Sequence, residues 1–599
     1  MKQSTFIIFL SALIFAQSCS DFLNEEPPTS IYGQNFLDSK ESMEAAVTNV
    51  YSKLNSVYWG NPLGTYLGNA SKCRVWTGNR RTDQYEQCHY MTLYSTTSDN
   101  KNLFTAAFDG VSACNNILYY LPESSVDESY KSQIAGEIHF LRAFFYFTLV
   151  RLYGDVPIIT KPVLKESDLN VARDEYQKVY RFILDDLDFA QNNMRSYAEQ
   201  EAINQGASRA CNSAVHAVRA MVYTWIASYM TSPYDQFFDT TKPSRYPDFT
   251  DCGVDTPDQA WKIVLEETEK LIIGPESPYA LESDYRNLFR WDPFEHPEDY
   301  QSRERILVTT NTPEYGPTNF ITQMLWSHPA ETISMSGSQS IAGRTRPARW
   351  IWEKWCEKYG NTDLNSKGFH SASSDPRLAA TYQYGSYDSW DQAAENIGQV
   401  KTTAGIFPET TSGTSKNHFF RKFISKRYDY NCGDADCYII RMADIYLTAA
   451  EAAASLGQAD KAVTYVNKVL ERARNSVDDL STPSEEPADW TTSQFASKEQ
   501  LIDAIALERI FEMHGENHEW FDTHRRGARW LIRNIVEPYI ESIDRAENAS
   551  VKSSMELYAT PTPSDVPSVR KSMICAYPDY EIRNNTALTP DSQNDFYWK

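Results

Sequence analysis

The chain has 599 residues and a formal net charge of −23, with 41% hydrophobic, 23% charged and 13% aromatic residues. That length can bury a large core, and the hydrophobic and charged shares are ordinary for a globular protein. The negative charge excludes nucleic acid or an anionic membrane as a partner held by charge, whereas an acidic surface rich in Tyr and Trp suits neutral, hydroxyl-bearing ligands.

The N-terminus sets the compartment. Lys2 precedes an apolar run, Phe6 to Ala16, that is too short to span a bilayer as a stable anchor. The run ends in Ala16-Gln17-Ser18-Cys19, small residues before a cysteine, and resembles a bacterial lipoprotein signal. In that reading residues 1–18 are removed and Cys19 carries the lipid; the alternative is a secretory signal with an incidental cysteine. The acidic stretch after Cys19 suits an extended tether. Nine cysteines remain beyond Cys19, odd in number and scattered, which is no disulfide framework. Cys73 with Cys88, and Cys432 with Cys437, can each close a loop. The last pair lacks CxxC spacing and a second pair, so zinc is not expected.

Helical periodicity then dominates. Lys40 to Leu54 turns Met43, Ala46, Val47, Val50 and Leu54 inward. Residues 55–102, rich in Gly, Asn and Thr, read as a loop, and Asn102 to Leu121 as a helix stopped by Pro122. Asp127 to Tyr153 is apolar around nearly its whole circumference, so it must be central; Gly154 suits its left-handed cap and Pro157 forbids a restart. Amphipathic helices follow at Asp174 to Asn192 and Ala207 to Met230, the second holding His216 as a buried, hydrogen-bonded residue.

From Thr231 to Arg441 the helical signal dissolves, apart from a helix near Gln259 to Ile272 and a strand-like run at Ile306 to Thr309. An irregular region of this length inside a compact protein is expected to carry function, so it reads as a ligand-bearing lobe. Helices return as Arg441 to Leu456 and Ala459 to Arg474, a tetratricopeptide-like hairpin turning at Gly457, with Ala462 and Tyr465 at its contact. An acidic linker spans Ser476 to Thr492, a helix covers Glu499 to His514, and the tail from Pro561 reads as irregular.

Several short motifs now stand in order: Cys19-Ser-Asp-Phe-Leu, Phe140-Leu-Arg-Ala-Phe-Phe-Tyr-Phe, Tyr153-Gly-Asp-Val-Pro157 and Asp375-Pro-Arg-Leu378. Then come Ala450-Glu-Ala452 with Asn467, Glu508-Arg509, Trp520-Phe-Asp522, Asn584-Asn585 and Gln593-Asn594. With them the chain resembles the SusD/RagB family of outer-membrane nutrient-binding lipoproteins. Glu519 departs from the family's usual arginine, and His524-Arg-Arg-Gly527 from its arginine-tryptophan-glycine, which puts a local salt bridge in doubt.

The resemblance implies a mainly α fold, about four tetratricopeptide-like helical pairs with a large irregular lobe and few short strands. It implies one domain over 19–599, with the scaffold at about 36–230 and 441–540 and the lobe at about 231–440. It implies a lipid-anchored protein of the outer membrane and cell surface that captures an oligosaccharide and hands it to a SusC-like TonB-dependent transporter. No cofactor, metal, nucleic acid or catalysis is expected. A tetratricopeptide-type protein-binding scaffold and, behind it, a surface glycoside hydrolase are the alternatives.

The residues agree with binding rather than chemistry. His514-Gly-Glu-Asn-His518 has two histidines four apart but not the HExxH order of a zinc protease. Adjacent acids such as Asp185-Asp186 point apart along a helix, whereas glycoside hydrolysis needs two facing carboxylates about 5–10 Å apart. Sugar rings instead lie against Trp or Tyr, with Asn, Asp or Arg beside them for the hydroxyls. Three stretches read as loops carry this mixture: Trp76 to Asp83 with Asn79 and Arg80, Leu288 to Asp292 with Trp291, and Tyr315 to Trp326. The expected contacts are therefore Trp76, Asn79, Arg80, Asp83, Trp291, Tyr315 and Trp326. The anchor is tested separately: Cys19→Ala is expected to move the protein from the membrane fraction to the soluble periplasmic fraction and to abolish incorporation of radiolabelled palmitate.

Overall fold

The computed structural model describes residues 36–58, 98–203, 208–231, 248–291, 302–311, 349–360, 375–383, 435–476, 484–544 and 574–593, with short segments between them. The architecture is mainly α. In chain order the helices are α1 (Lys40–Tyr58), α2 (Ser98–Tyr120), α3 (Glu128–Tyr153), α4 (Tyr176–Asn193), α5 (Tyr197–Ala202), α6 (Ala214–Thr231) and α7 (Pro257–Ile272). They continue with α8 (Arg349–Tyr359), α9 (Pro376–Thr381), α10 (Met442–Ser455), α11 (Ala459–Asn475), α12 (Lys498–Glu512), α13 (Glu519–His524) and α14 (Asp579–Asn584), and a short helical run spans 528–544 between the last two.

Packing arranges the longer helices as four successive hairpins, α1–α2, α3–α4, α6–α7 and α10–α11, with α12 against the last. The chain between α7 and α10 supplies the lobe, yet it enters and leaves through one antiparallel pair. Strand β4 (Arg305–Thr309) runs beside β12 (Cys437–Arg441), with Thr309 opposite Cys437 and Arg305 opposite Arg441, and every residue of both strands is buried.

Helix α3 is central as its composition demands. The Asp127 side chain accepts from Tyr130 N at 2.9 Å to open it, and Gly154 at φ 70° closes it with its N–H on Val150 O. From Phe140 to Tyr153 every residue is buried. Arg151 in that run lies between the rings of Phe147 and Phe521, 4.0 and 3.9 Å away, and donates to Tyr58 OH at 2.8 Å. The α10–α11 hairpin turns at Gly457, φ 75°, and Tyr465 OH donates to Glu269 on α7 at 2.7 Å, tying two hairpins together.

Several expectations are corrected. Residues 55–102 are not a loop throughout: α1 runs on to Tyr58, β1 (Lys72–Thr77) and β2 (Gln84–Cys88) form a hairpin, and α2 starts at Ser98. Helix α6 begins at Ala214 rather than at 207, because Cys211 to Ser213 turn the chain into it. The Asp375-Pro-Arg-Leu378 motif opens a helix, with Asp375 capping it through Arg377 N at 2.9 Å, and the tail holds α14. Of the cysteines left open between free and paired, Cys437 is a buried thiol that accepts from Asn311 Nδ2 at 3.4 Å. His216 is hydrogen-bonded, to Glu267 Oε2 at 2.6 Å, though only partly buried.

Helix α2 meets α3 through Gly110, where a Cβ atom would come within 2.3 Å of the Phe145 ring. Overpacking a rigid core costs roughly 1–3 kcal/mol. Gly110→Ala is therefore expected to lower the free energy of unfolding by that amount in urea titration, with the m-value unchanged.

Candidate functional site

The lobe is held to the scaffold by buried charge. Glu508 and Glu512 lie one turn apart on α12, and Glu516 follows in the turn beyond it; the three side chains are fully or almost fully buried. Arg441, at the junction of β12 and α10, reaches Glu304 at 2.7 Å, Glu512 at 2.7 Å and Glu516 at 2.8 Å. Arg472 of α11 pairs with Glu304 at 2.9 Å and also with Glu512. From the lobe side, Arg377 binds Asp375 and Glu508 at 2.7 Å and Glu512 at 3.0 Å. Lys422, between β8 (Phe419–Phe420) and β9 (Ile424–Ser425), binds Glu516 at 2.7 Å and donates to Glu512 O at 3.1 Å.

The electrostatics follow from the burial. Burial works to raise the Glu516 carboxyl, but Arg441 and Lys422 overcome it and hold it at about 2. Glu512 is likewise pulled far below the carboxylate range by Arg472, Arg441 and Arg377 against its burial. Burial brings the Lys422 ammonium down to about 8, with Glu516 opposing. Gly515, at φ 88°, leaves room for the β8 ring: a Cβ there would lie 2.8 Å from Phe420.

Around this anchor the lobe carries short strands. Antiparallel β1 and β2 place Trp76 opposite Tyr85 and Thr77 opposite Gln84, and β6 (Thr345–Pro347) adds to the other edge of β1. Trp291 lies in β3 (Arg290–Trp291), paired in parallel with β9 so that it stands opposite Ser425. Strand β6 lies beside β8, and β9 follows β8 in the chain, which links the strand of Trp76 to that of Trp291. Both tryptophans are thus strand residues rather than loop residues. Leu288 and Phe289, in the stretch leading to Trp291, are core. Asn79, Arg80, Asp83, Tyr315 and Trp326 lie outside the described residues, as does Cys19.

The ionic anchor was only half legible. Asp375, Arg377 and Glu508 belong to the quoted motifs and Glu516 to the His514–His518 stretch weighed for a metal, whereas Glu304, Lys422, Arg441, Arg472 and Glu512 carried no motif. Their signal is the four-residue spacing of Glu508, Glu512 and Glu516 beside an apolar helix face, a pattern that calls for buried cations. The doubted local bridge is present in another form: Asp522 pairs with Arg509 at 2.6 Å, and Glu519 accepts from Gly515 N at 2.8 Å. His514 and His518 go to different partners, Tyr382 OH at 3.0 Å and Asp444 at 3.7 Å. Burial pushes His524 down to about 3, so it is neutral and donates to Trp520 O at 2.7 Å.

A model of the SusD family matches residues 324–598, and a second, described as starch-binding associating with outer membrane, matches residues 21–224. The chain belongs to the SusD family. A SusD-like protein P25 of Formosa agariphila is 22% identical over 567 residues, covering 90% of this chain and 92% of the relative. A SusD homolog from Bacteroides thetaiotaomicron has a TM-score of 0.65 at 16% identity, covering 95% of this chain and 99% of its own. A laminarin-binding SusD-like protein has a TM-score of 0.58 at 20% identity, covering 94% of this chain and all (100%) of its own. At these identities the two structures establish a shared fold, and the mainly helical scaffold is that of SusD-like proteins.

The buried carboxylates make this SusD-like protein sensitive to acid. Their pKa values are depressed in the folded state, so the unfolded chain binds more protons below its own carboxylate range near 4.5. The stability they contribute is full above that range and is lost as pH falls toward about 2. Calorimetry is expected to show the melting temperature falling steadily from pH 4.5 to pH 2.

Proposed function

We propose that the protein is a cell-surface lipoprotein that captures oligosaccharides without cutting them and passes them to a SusC-like TonB-dependent transporter in the outer membrane. The carrying observation is the ionic anchor. It fixes an aromatic-bearing lobe on a rigid helical scaffold; Trp291 sits on a strand of that lobe, and Trp76 on the β1–β2 hairpin that β6 of the lobe extends. Strand positions suit stacking, because a sugar ring needs a flat partner that does not move away. Family membership and a laminarin-binding relative of the same fold support the ligand class. Asn79, Arg80, Asp83, Tyr315 and Trp326 remain the proposed polar and aromatic partners, and the lipid on Cys19 the proposed tether. Capture without catalysis also fits modest affinity, since a receptor that hands its ligand on must release it.

The test is retardation in native gels containing neutral polysaccharides, laminarin among them. The wild-type chain is expected to be slowed by at least one of them. A stacking contact contributes about 1 kcal/mol, so Trp76→Ala and Trp291→Ala should each weaken binding roughly fivefold. Unchanged migration on every gel, or turnover of a retained glycan, would refute the reading.

A further inference from the structure

A cavity of about 270 Å³ opens on the scaffold, between α2, the connector that follows α3, and α14. Phe104 and Phe108 of α2, Ile159 and Leu169 of the connector, and Tyr580 of α14 form much of its wall. Two of these are exposed to solvent, Leu169 at 55% and Tyr580 at 52%, and Val163 and Leu164 beside them are exposed as well. An apolar bed of this kind with a few polar groups at its edge is the usual make-up of a small-molecule site.

The polar groups narrow the ligand. Asp109, Glu581 and Lys161 line the mouth. Among the described residues the exposed Asp109 side chain makes no hydrogen bond, and the Glu581 side chain accepts only from Asn585 Nδ2 at 3.3 Å. Burial raises both carboxyls, opposed by the charge of Lys53 at Asp109 and by the Asn585 hydrogen bond at Glu581. The surroundings are cationic: Lys161 lines the mouth, and Lys101 Nζ lies 4.1 Å from the centre of the Tyr580 ring. A cationic ligand meets Lys161 in the wall, with Lys101 over the Tyr580 ring, and an anionic one meets Asp109 and Glu581. A neutral ligand with an apolar face and several hydroxyls can satisfy the acceptors and the donors together. The volume, just below the range for drug-sized ligands, suits a single ring.

We propose that this cavity is a carbohydrate subsite on the helical scaffold, separate from the lobe. It takes one neutral sugar ring against Tyr580 and Leu169, with the hydroxyls shared among Asp109, Glu581 and Lys161. Helix α2, which forms one wall, follows the β1–β2 hairpin of Trp76 after residues 89–97. On the reading proposed above for the lobe, a polymer long enough to engage both sites makes two weak contacts, which multiply rather than add.

Saturation-transfer NMR on the full chain tests this, with glucose, galactose, mannose, xylose and N-acetylglucosamine as probes. At least one is expected to receive saturation. Tyr580→Ala is expected to cut that transfer at least threefold, whereas Trp76→Ala leaves the remainder at the cavity. The double variant Asp109→Asn with Glu581→Gln, which keeps the ring in place, is expected to weaken it in the same direction. Transfer insensitive to both changes, or no transfer from any of the five sugars, overturns the subsite. So does saturation of n-butylammonium that is lost in Tyr580→Ala while no sugar responds, which would assign the cavity to a basic side chain of a partner protein. Because Trp76→Ala reads the lobe and Tyr580→Ala reads the cavity, the two sites fail independently.

Discussion

Glu508, Glu512 and Glu516 stand four residues apart in the interior of the molecule, where an unpaired carboxylate is costly to keep ionised. No cation on their own helix face compensates them; the compensation arrives from Arg377 and Lys422 in the lobe and from Arg441 and Arg472 on the neighbouring hairpin. Each arginine binds two or more acids and each of the three glutamates two or more cations, so removing one arginine weakens several pairs at once rather than one. The helical stack and the lobe for this reason share one set of buried charges at this point. The charges set where the lobe sits more than how strongly it is held, since a hydrophobic substitute for a buried pair is often no less stable.

The stack itself is ordinary packing carried to an extreme. From Phe140 on, helix α3 is buried on every side and still accommodates Arg151 by laying its guanidinium between two aromatic faces. Similar economy joins α7 to α11, where a tyrosine hydroxyl and a lysine meet Glu269. Such a frame has little freedom to vary, which leaves ligand choice to the segments it supports.

The elements with a strong 3.6-residue period were legible. Helices α1, α3, α4, α7, α10 and α11 and the Gly154 and Gly457 turns stand within a few residues of where apolar spacing put them. The lobe was legible only as an absence of period. Its strands run two to six residues, too short for alternation to show, so the β1–β2 hairpin read as coil. Helix α8 escaped because it lies inside the stretch read as irregular, although its Trp350, Trp352 and Trp355 are all core. The ionic anchor escaped because its members are far apart in sequence and meet only once the chain has folded. Side-chain placement around Trp76 and Trp291 depends on turns that no periodicity encodes.

Strands β4 and β12 lie side by side, so the long excursion between Thr309 and Cys437 begins and ends at neighbouring points. An insert with adjoining ends can lengthen, shorten or be exchanged at little entropic cost, because closing a longer loop adds only a logarithmic penalty. The frame holds that excursion at named points, through Arg377 on Glu508 and Glu512, Lys422 on Glu516 and the Trp355 ring stacked on Phe511. An excursion rebuilt around a retained Arg377 and Lys422 leaves the buried carboxylates of the frame paired, which makes the strand pair a natural splice point for grafting one lobe onto another frame.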